Sequence, residues 1–381
     1  MASVAVVGVG IIPFGKHPDR TLVDMAAEAA RLALKDAGAK PPLVEACFLA
    51  NGLAGRLFGD FTVGQNVFWE VGINRVPVVN VENACTSGST ALYLAYNTVA
   101  AGQAEVVLVV GAEKMYVPEF GLINSGETEL DTQLGLVAPA SFALRARRHM
   151  ADFGTTPEQL ALVSVKNRRH AQHNPIAQFR DPVTVEEVLA APMIVDPLTR
   201  LNCCPIADGA AAVLLCSPAM AQRFGRAVNM ETAVLCTGNY ESPQDMVQWE
   251  TDYRACGLAY ERAGVGPEDL DVVEVHDAFT IAEILHYEAL GLCRPGEGGK
   301  LVEEGQTALG GRCPVNVSGG LLSRGHPVGA TGVAQAIEIV IQLRNEAGPR
   351  QVEGAKIGLA QCMGGDKAGD TKSCTIGIYS V

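Results

Sequence analysis

The chain has 381 residues, 48% of them hydrophobic and 19% charged, with a net charge of −13. That is enough apolar chain for one large domain or two to three smaller units, and it excludes a disordered polypeptide. The acidic balance argues against a nucleic-acid partner, and no apolar run reaches the length of a membrane span.

The opening Met1-Ala2-Ser3-Val4-Ala5 lacks a basic segment and runs into a strand over 4–10, so no signal peptide is expected. Gly8-x-Gly10-x-x-Pro13 fails as a dinucleotide fingerprint, because proline replaces the third glycine. Leu22, Ala26, Ala29, Leu32 and Leu34 recur at helical spacing and predict a helix over 21–37, followed by a strand over 46–50. A β-rich stretch over 76–81 ends in Glu82-Asn83-Ala84-Cys85-Thr86, and a small-residue helix over 87–101 begins there. Cys85 therefore falls at a strand-to-helix turn, where free N–H groups and the helix dipole favour a thiolate. Gly88 lets a substrate approach the backbone. This is the geometry of a nucleophile elbow with sulfur in place of oxygen. A strand over 105–110 completes a βαβ-type unit.

Residues 118–196 are more polar and read as an inserted lid. Helices are expected over 141–153 and 157–171, the second opened by a Thr156 cap and Pro157. Two basic clusters lie here: Arg145, Arg147, Arg148 and His149, then Lys166, Arg168, Arg169 and His170. Such runs are ordinarily solvated faces; the alternative is a local site for an anionic ligand. The core resumes with a strand over 208–215.

From 231 the pattern repeats. A strand over 232–237 precedes a helix over 252–263. A strand then ends in Val275-His276-Asp277, with a helix over 279–290. Pro314-Val315-Asn316-Val317-Ser318 leads through a glycine-rich loop to a helix over 329–344 and a strand over 356–360. Val79-Asn80-Val81 and Val315-Asn316-Val317 hold the same place in each half, which marks a duplicated α/β unit. Helices covering a mixed sheet would bring strand-end turns of both halves towards a shared cleft.

Three turns of the second half carry reactive residues: His276-Asp277-Ala278-Phe279, Gly325-His326-Pro327-Val328-Gly329-Ala330-Thr331-Gly332, and Cys362-Met363-Gly364-Gly365. A lone histidine is ordinarily a core or surface residue, but His326 between Gly325 and Pro327 is hard to explain by packing. The eleven cysteines are odd in number and irregular in spacing, with no CxxC pair, which suggests a reducing, cytoplasmic setting and no metal. A thiol, a histidine and a second thiol on converging turns point to covalent acyl transfer. The nucleophile needs a base, the leaving carbon needs an acid, and glycine N–H groups can hold an oxyanion.

With Asn83-Ala84-Cys85-Thr86-Ser87-Gly88, these motifs give the chain, over essentially its whole length, a sequence that resembles the thiolase family. The His-Asp-Ala-Phe form is similar to sterol-carrier-protein-2-type and archaeal or bacterial thiolases. The resemblance implies an α/β thiolase fold, a duplicated five-layered α-β-α-β-α core with an inserted loop domain. Its parts would be an N-terminal half (1–117), the insertion (118–207), a return to the N-terminal half (208–230) and a C-terminal half (231–381). Cys85 would be the nucleophile, activated by His326, which also lines an oxyanion hole. Cys362 would protonate the departing enolate, and His276 would hold a water or touch the thioester oxygen. The N–H groups of Cys85 and Gly364 would form a second oxyanion hole, whose shape Asp366 affects because a third glycine is common there.

Coenzyme A is the implied co-substrate, with Arg148, Lys166, Arg168 and Arg169 as candidate contacts to its phosphates, and no metal or redox cofactor. The implied assembly is a homodimer or dimer of dimers, with the strand over 76–81 as one interface. A small DUF35-type zinc-ribbon/OB-fold subunit is a further implied partner. Implied substrates are acetoacetyl-CoA or a bulky or aromatic 3-ketoacyl-CoA such as benzoylsuccinyl-CoA. The alternatives are a β-ketoacyl synthase-like or retro-aldolase-like relative, and a non-catalytic scaffold or lipid-carrier subunit. The presence of both Cys85 and Cys362 ranks the thiolase first.

Overall fold

The computed structural model describes residues 4–117, 126, 129–240, 245–367 and 369–381. The first half contains β1 (Val4–Ile11), α1 (Leu22–Asp36), β2 (Ala46–Ala50), α2 (Ala54–Phe58), α3 (Val63–Val71), β3 (Val78–Val81), α4 (Ser87–Ala100) and β4 (Val106–Glu113). Then follow α5 (Leu130–Gln133), α6 (Ala138–Phe153), α7 (Pro157–Ala171), α8 (Val185–Ala190) and a small hairpin, β5 (Met193–Val195) and β6 (Leu198–Thr199). Next come β7 (Gly209–Cys216) and α9 (Pro218–Ala221). The second half contains β8 (Val228–Cys236), α10 (Glu250–Ala263), β9 (Val272–Glu274), α11 (Thr280–Ala289), α12 (Gly298–Glu303), α13 (Gly320–Arg324), α14 (Val328–Leu343), β10 (Ile357–Lys367) and β11 (Asp370–Ser380). The expected start of the insertion, at residue 118, lies outside the described residues.

The strands form one ladder in the order β3-β2-β4-β7-β1-β8-β11-β10-β9. Read outward from the β1–β8 seam, the first half runs β1, β7, β4, β2, β3. The second runs β8, β11, β10, β9, and then Val315, which bridges Val273. The two lists are the same topology, so the duplication read from two short motifs extends to the whole sheet. Helices α4 and α14 lie between the two halves, each packed on strands of both. Helix α14 is enclosed on every side, with all its residues but Ile341 buried; it is mostly apolar, and its polar row Thr331, Gln335, Glu338 and Gln342 is hydrogen-bonded within the protein. Helices α1 and α3 cover the outer face of the first half, and α10 that of the second. The result is five layers.

Two close approaches bring the central helices together at their N-terminal ends. A Cβ on Gly88 would lie 2.7 Å from the Gly329 carbonyl oxygen, and one on Gly332 would lie 2.5 Å from Ser89 N. Only glycine fits such spacing, so α4 and α14 meet where Cys85 and His326 enter.

Residues 314–318, which hold the place of β3 in the second half, form a single bridge rather than a ladder. Asn316 turns left-handed (φ 57°), and its side chain accepts from Val275 N at 2.9 Å and donates to Glu283 at 2.8 Å. The last strand of the repeat does not stop at Ala360. It runs to Lys367 because the glycine-rich stretch pairs with β11, which the sequence did not reveal. Cys362 and Gly364 thus sit inside a strand rather than in a turn after it.

Candidate active site

The turn carrying Cys85 is held by its own polar groups. Ser87 Oγ accepts from Asn83 N at 2.8 Å and donates to Ala84 O at 2.6 Å. Ala84 takes a left-handed φ of 48°, a strain that a non-glycine residue bears only where its surroundings impose it. Cys85 is half-buried beside the apolar group Leu53, Met115 and Val328.

His326 Nε2 stands 3.4 Å from Cys85 Sγ. Its Nδ1 lies 2.7 Å from Thr331 Oγ1, whose hydroxyl donates to Pro327 O at 3.0 Å. The Thr331 oxygen is therefore the acceptor for Nδ1–H, which leaves the Nε2 lone pair facing the thiol. Cys362 Sγ reaches two acceptors, Cys85 O at 3.3 Å and His276 Nδ1 at 3.4 Å. The two imidazoles meet edge to face at 5.1 Å. The Cys85 sulfur and one nitrogen from each histidine lie within 4.8 Å of one another. The structure therefore brings together all four residues singled out for catalysis.

The resting charge state differs from the thiolate expected of a helix start. Burial, and after it the nearby Glu113, push the Cys85 thiol up to about 12, against N–H groups of Cys85 and Gly365 that pull it down. Desolvation outweighs the helix end, so the resting nucleophile is a thiol. Burial also pushes His326 down to about 3, with Arg324 adding to the effect. His276 is lowered by burial and then by His326, and the Cys362 thiol is raised by burial and then by Cys85. The N–H aimed at the Cys85 sulfur from β10 is that of Gly365, one residue beyond Gly364. A Cβ on Gly364 would lie 3.0 Å from Cys85 N, so the backbones of the two segments pass in contact.

Supporting residues came from places the sequence did not mark. Gln361 Oε1 accepts from His276 N at 3.0 Å, and His286 Nε2 donates to His276 O at 3.2 Å. His286 Nδ1 in turn lies 2.6 Å from Asp252 Oδ2. The backbone on both sides of the His276 ring is thereby fixed. Glu113 accepts from Gly52 N at 2.8 Å and Gly329 N at 3.0 Å, tying the first half to the start of α14. Asp277, by contrast, accepts from Leu321 N at 2.7 Å and Leu322 N at 3.3 Å at the start of α13, so its role is structural.

The basic clusters do not act as units. Arg145 and His149 are buried, paired with Asp366 and Glu288. Arg148 pairs with Asp152 at 2.5 Å on the surface, Lys166 pairs with buried Glu283 at 2.5 Å, and Arg168 lies over the Phe179 ring. Lys166 and Arg169 share the wall of a cavity that Cys85, His276, His326 and Cys362 do not line.

Two predictions arise here. Thr331→Val keeps the shape but leaves Nδ1–H of buried His326 without an acceptor, at a cost of about 1–3 kcal/mol. We expect steady-state kcat to fall about 10- to 100-fold and the melting temperature to fall by about a few degrees, with the fold retained. The pH dependence follows from the lowered His326. A base works only when neutral, and burial keeps this one neutral down to about 3. Single-turnover acylation of Cys85 should therefore hold its rate from about pH 8 to about pH 5. An imidazole with the ordinary value near 6.5 would lose about thirtyfold over that range.

Comparison with known proteins agrees with this geometry. The thiolase N-terminal domain model matches residues 4–219, and the thiolase C-terminal domain-like model matches residues 237–374. An acetyl-CoA acetyltransferase of Methanothermobacter thermautotrophicus is 42% identical over 96% of this chain and 97% of its own. Benzoylsuccinyl-CoA thiolase subunit BbsB of Thauera aromatica is 39% identical over 92% and 91%. Human sterol carrier protein 2 is 40% identical over 95% of this chain and 70% of its own. Among solved structures, the Ltp2-ChsH2(DUF35) aldolase superposes with a TM-score of 0.84 at 25% identity, covering 99% of this chain and 97% of that one. Human mitochondrial 3-ketoacyl-CoA thiolase superposes at 0.76 and 19%, covering 100% and 98%, and shares the fold. The chain belongs to the thiolase family and is an acyltransferase.

Proposed function

We propose that this enzyme transfers an acyl group between a 3-ketoacyl-CoA and CoA through a thioester on Cys85. The observation that carries the reading is the pairing of each thiol with its own imidazole: Cys85 with His326 and Cys362 with His276, both at 3.4 Å. His326 Nε2 takes the Cys85 proton as sulfur attacks the 3-keto carbon. The bond between C2 and C3 breaks, and its electron pair leaves as the acetyl-CoA enolate. Cys362 delivers a proton to C2, and the proton that His326 took from Cys85 returns to the Cys362 thiolate, so both thiol–imidazole pairs are neutral again before CoA reacts. In the condensing direction His276 takes the Cys362 proton and the thiolate abstracts the proton from C2. CoA thiol then attacks the Cys85 thioester, its proton passing to His326 and on to the released Cys85 sulfur. N–H groups of Cys85 and the Gly364–Gly365 segment would hold the oxyanion, since the backbones meet there.

The test is mass spectrometry after brief mixing with aliphatic and aromatic 3-ketoacyl-CoAs. An acyl adduct mapped to Cys85 that CoA discharges supports the reading, and the retained acyl group names the substrate class. A second reading, retro-aldol cleavage, draws on the neighbour described as an aldolase. It needs no acyl-enzyme, so cleavage without any adduct would favour it. A DUF35-type partner is supported by the same neighbour and by the subunit status of BbsB. Self-association through β3 is supported by its place at the sheet edge, paired among the described residues only with β2, with Val79 42% exposed.

A further inference from the structure

A cavity of about 380 Å³ opens between α7, the segment following α12 and the turn after α14. Its size is that of a small-molecule site. Arg350 in its wall pairs with Glu338, ten residues along α14 from Val328. At the helical rise this places the contact about 15 Å from the helix end that adjoins His326.

The lining holds three cations, Lys166, Arg169 and Arg350, and one carboxylate, Glu303. Lys166 and Arg350 are held in place by their ion pairs to Glu283 and Glu338. Arg350 is only 7% exposed, and its Nε has no hydrogen-bond partner among the described residues. A buried guanidinium N–H is costly until an acceptor meets it. Arg169 is exposed, and its side chain makes no hydrogen bond or ion pair with a described residue. His170 adds no charge: its Nδ1 donates to Asn316 O and its Nε2 accepts from Leu309 N, both at 3.0 Å. It fixes the Leu309 segment instead. The remaining lining is largely apolar, with Leu162, Val165 and Val302 among it.

We propose that this cavity is a second ligand site, separate from the acyl-transfer centre, for a small amphipathic anion. Its carboxylate or phosphate meets Arg169 and Arg350, and its apolar body lies on Leu162, Val165 and Val302. Guanidinium groups suit both head groups because each offers paired oxygens to a planar fork of donors. The assignment does not depend on the acyl-transfer reading.

The probes are 4-bromobenzoate and phenyl phosphate, titrated by calorimetry into the full chain with Cys85 carbamidomethylated, with and without CoA. At least one should bind with a Kd of ~1 mM or tighter, and CoA should not change that value. The stronger probe identifies the head group. In crystals soaked with 4-bromobenzoate, the bromine anomalous peak should fall among Leu162, Val165 and Val302. Arg169→Glu should weaken binding about tenfold or more, and Leu309→Trp should obstruct the cavity independently of charge. Absence of binding by both probes at ~10 mM overturns the proposal, as does a bromine peak only at the Cys85 cleft or displacement of the probes by CoA.

Discussion

Cys85→Ala is expected to lower thiolysis by about 10⁴-fold or more and to leave no acyl adduct anywhere on the protein. The size follows from what is lost. Without the sulfur there is no covalent intermediate, and the CoA thiol must attack the 3-keto carbon directly. His326, Cys362 and His276 remain in place, but a base without its nucleophile supplies little. The structural penalty is small, because Cys85 is only half-buried and alanine fits the turn that Ser87 and Asn83 hold. An unchanged melting curve with lost turnover is therefore the expected combination. Measurable turnover close to wild type would place the nucleophile elsewhere.

Cys362→Ala should divide the reaction. Exchange of labelled CoA into acetyl-CoA uses only the Cys85–His326 pair, and we expect it to stay within about tenfold of wild type. Carbon–carbon cleavage needs a proton at C2 and should fall by about 10²- to 10⁴-fold, the usual contribution of a positioned acid or base. The split between the two assays is the diagnostic. Equal losses would mean that Cys362 supports the Cys85 turn, through its 3.3 Å bond to Cys85 O, rather than handling the substrate proton.

Cys85 and His326 were legible because Cys85 lies in a short turn between a strand and a helix and His326 in a short turn between two helices, each flanked by small residues that let the chain pass closely. Thr331 lay in view inside the His326 motif, five residues on, but its role depends on the first turn of α14 directing the hydroxyl to Nδ1. The Asp252–His286–Gln361 support of His276 had no local signature, since Asp252 and Gln361 are 109 residues apart. Cys362 was assigned to a turn because Gly364 and Gly365 read as loop; their partners on β11 are what extend the strand. The charge state of Cys85 was misjudged for a related reason. A helix start is a property of local sequence, whereas the burial that overrides it is set by the whole fold.

The matching strand orders carry one more consequence. Cys85 precedes central helix α4 and His326 precedes central helix α14, so nucleophile and base occupy equivalent positions in the two repeats. In a symmetric pair of separate, identical repeats, thiol would face thiol or imidazole would face imidazole, and neither arrangement sets a thiol against an imidazole. Joining the repeats in one polypeptide frees the facing turns to become chemically unlike. The β1–β8 seam is in this sense a condition of the reaction, because across it lie two copies of one architecture that no longer share one chemistry.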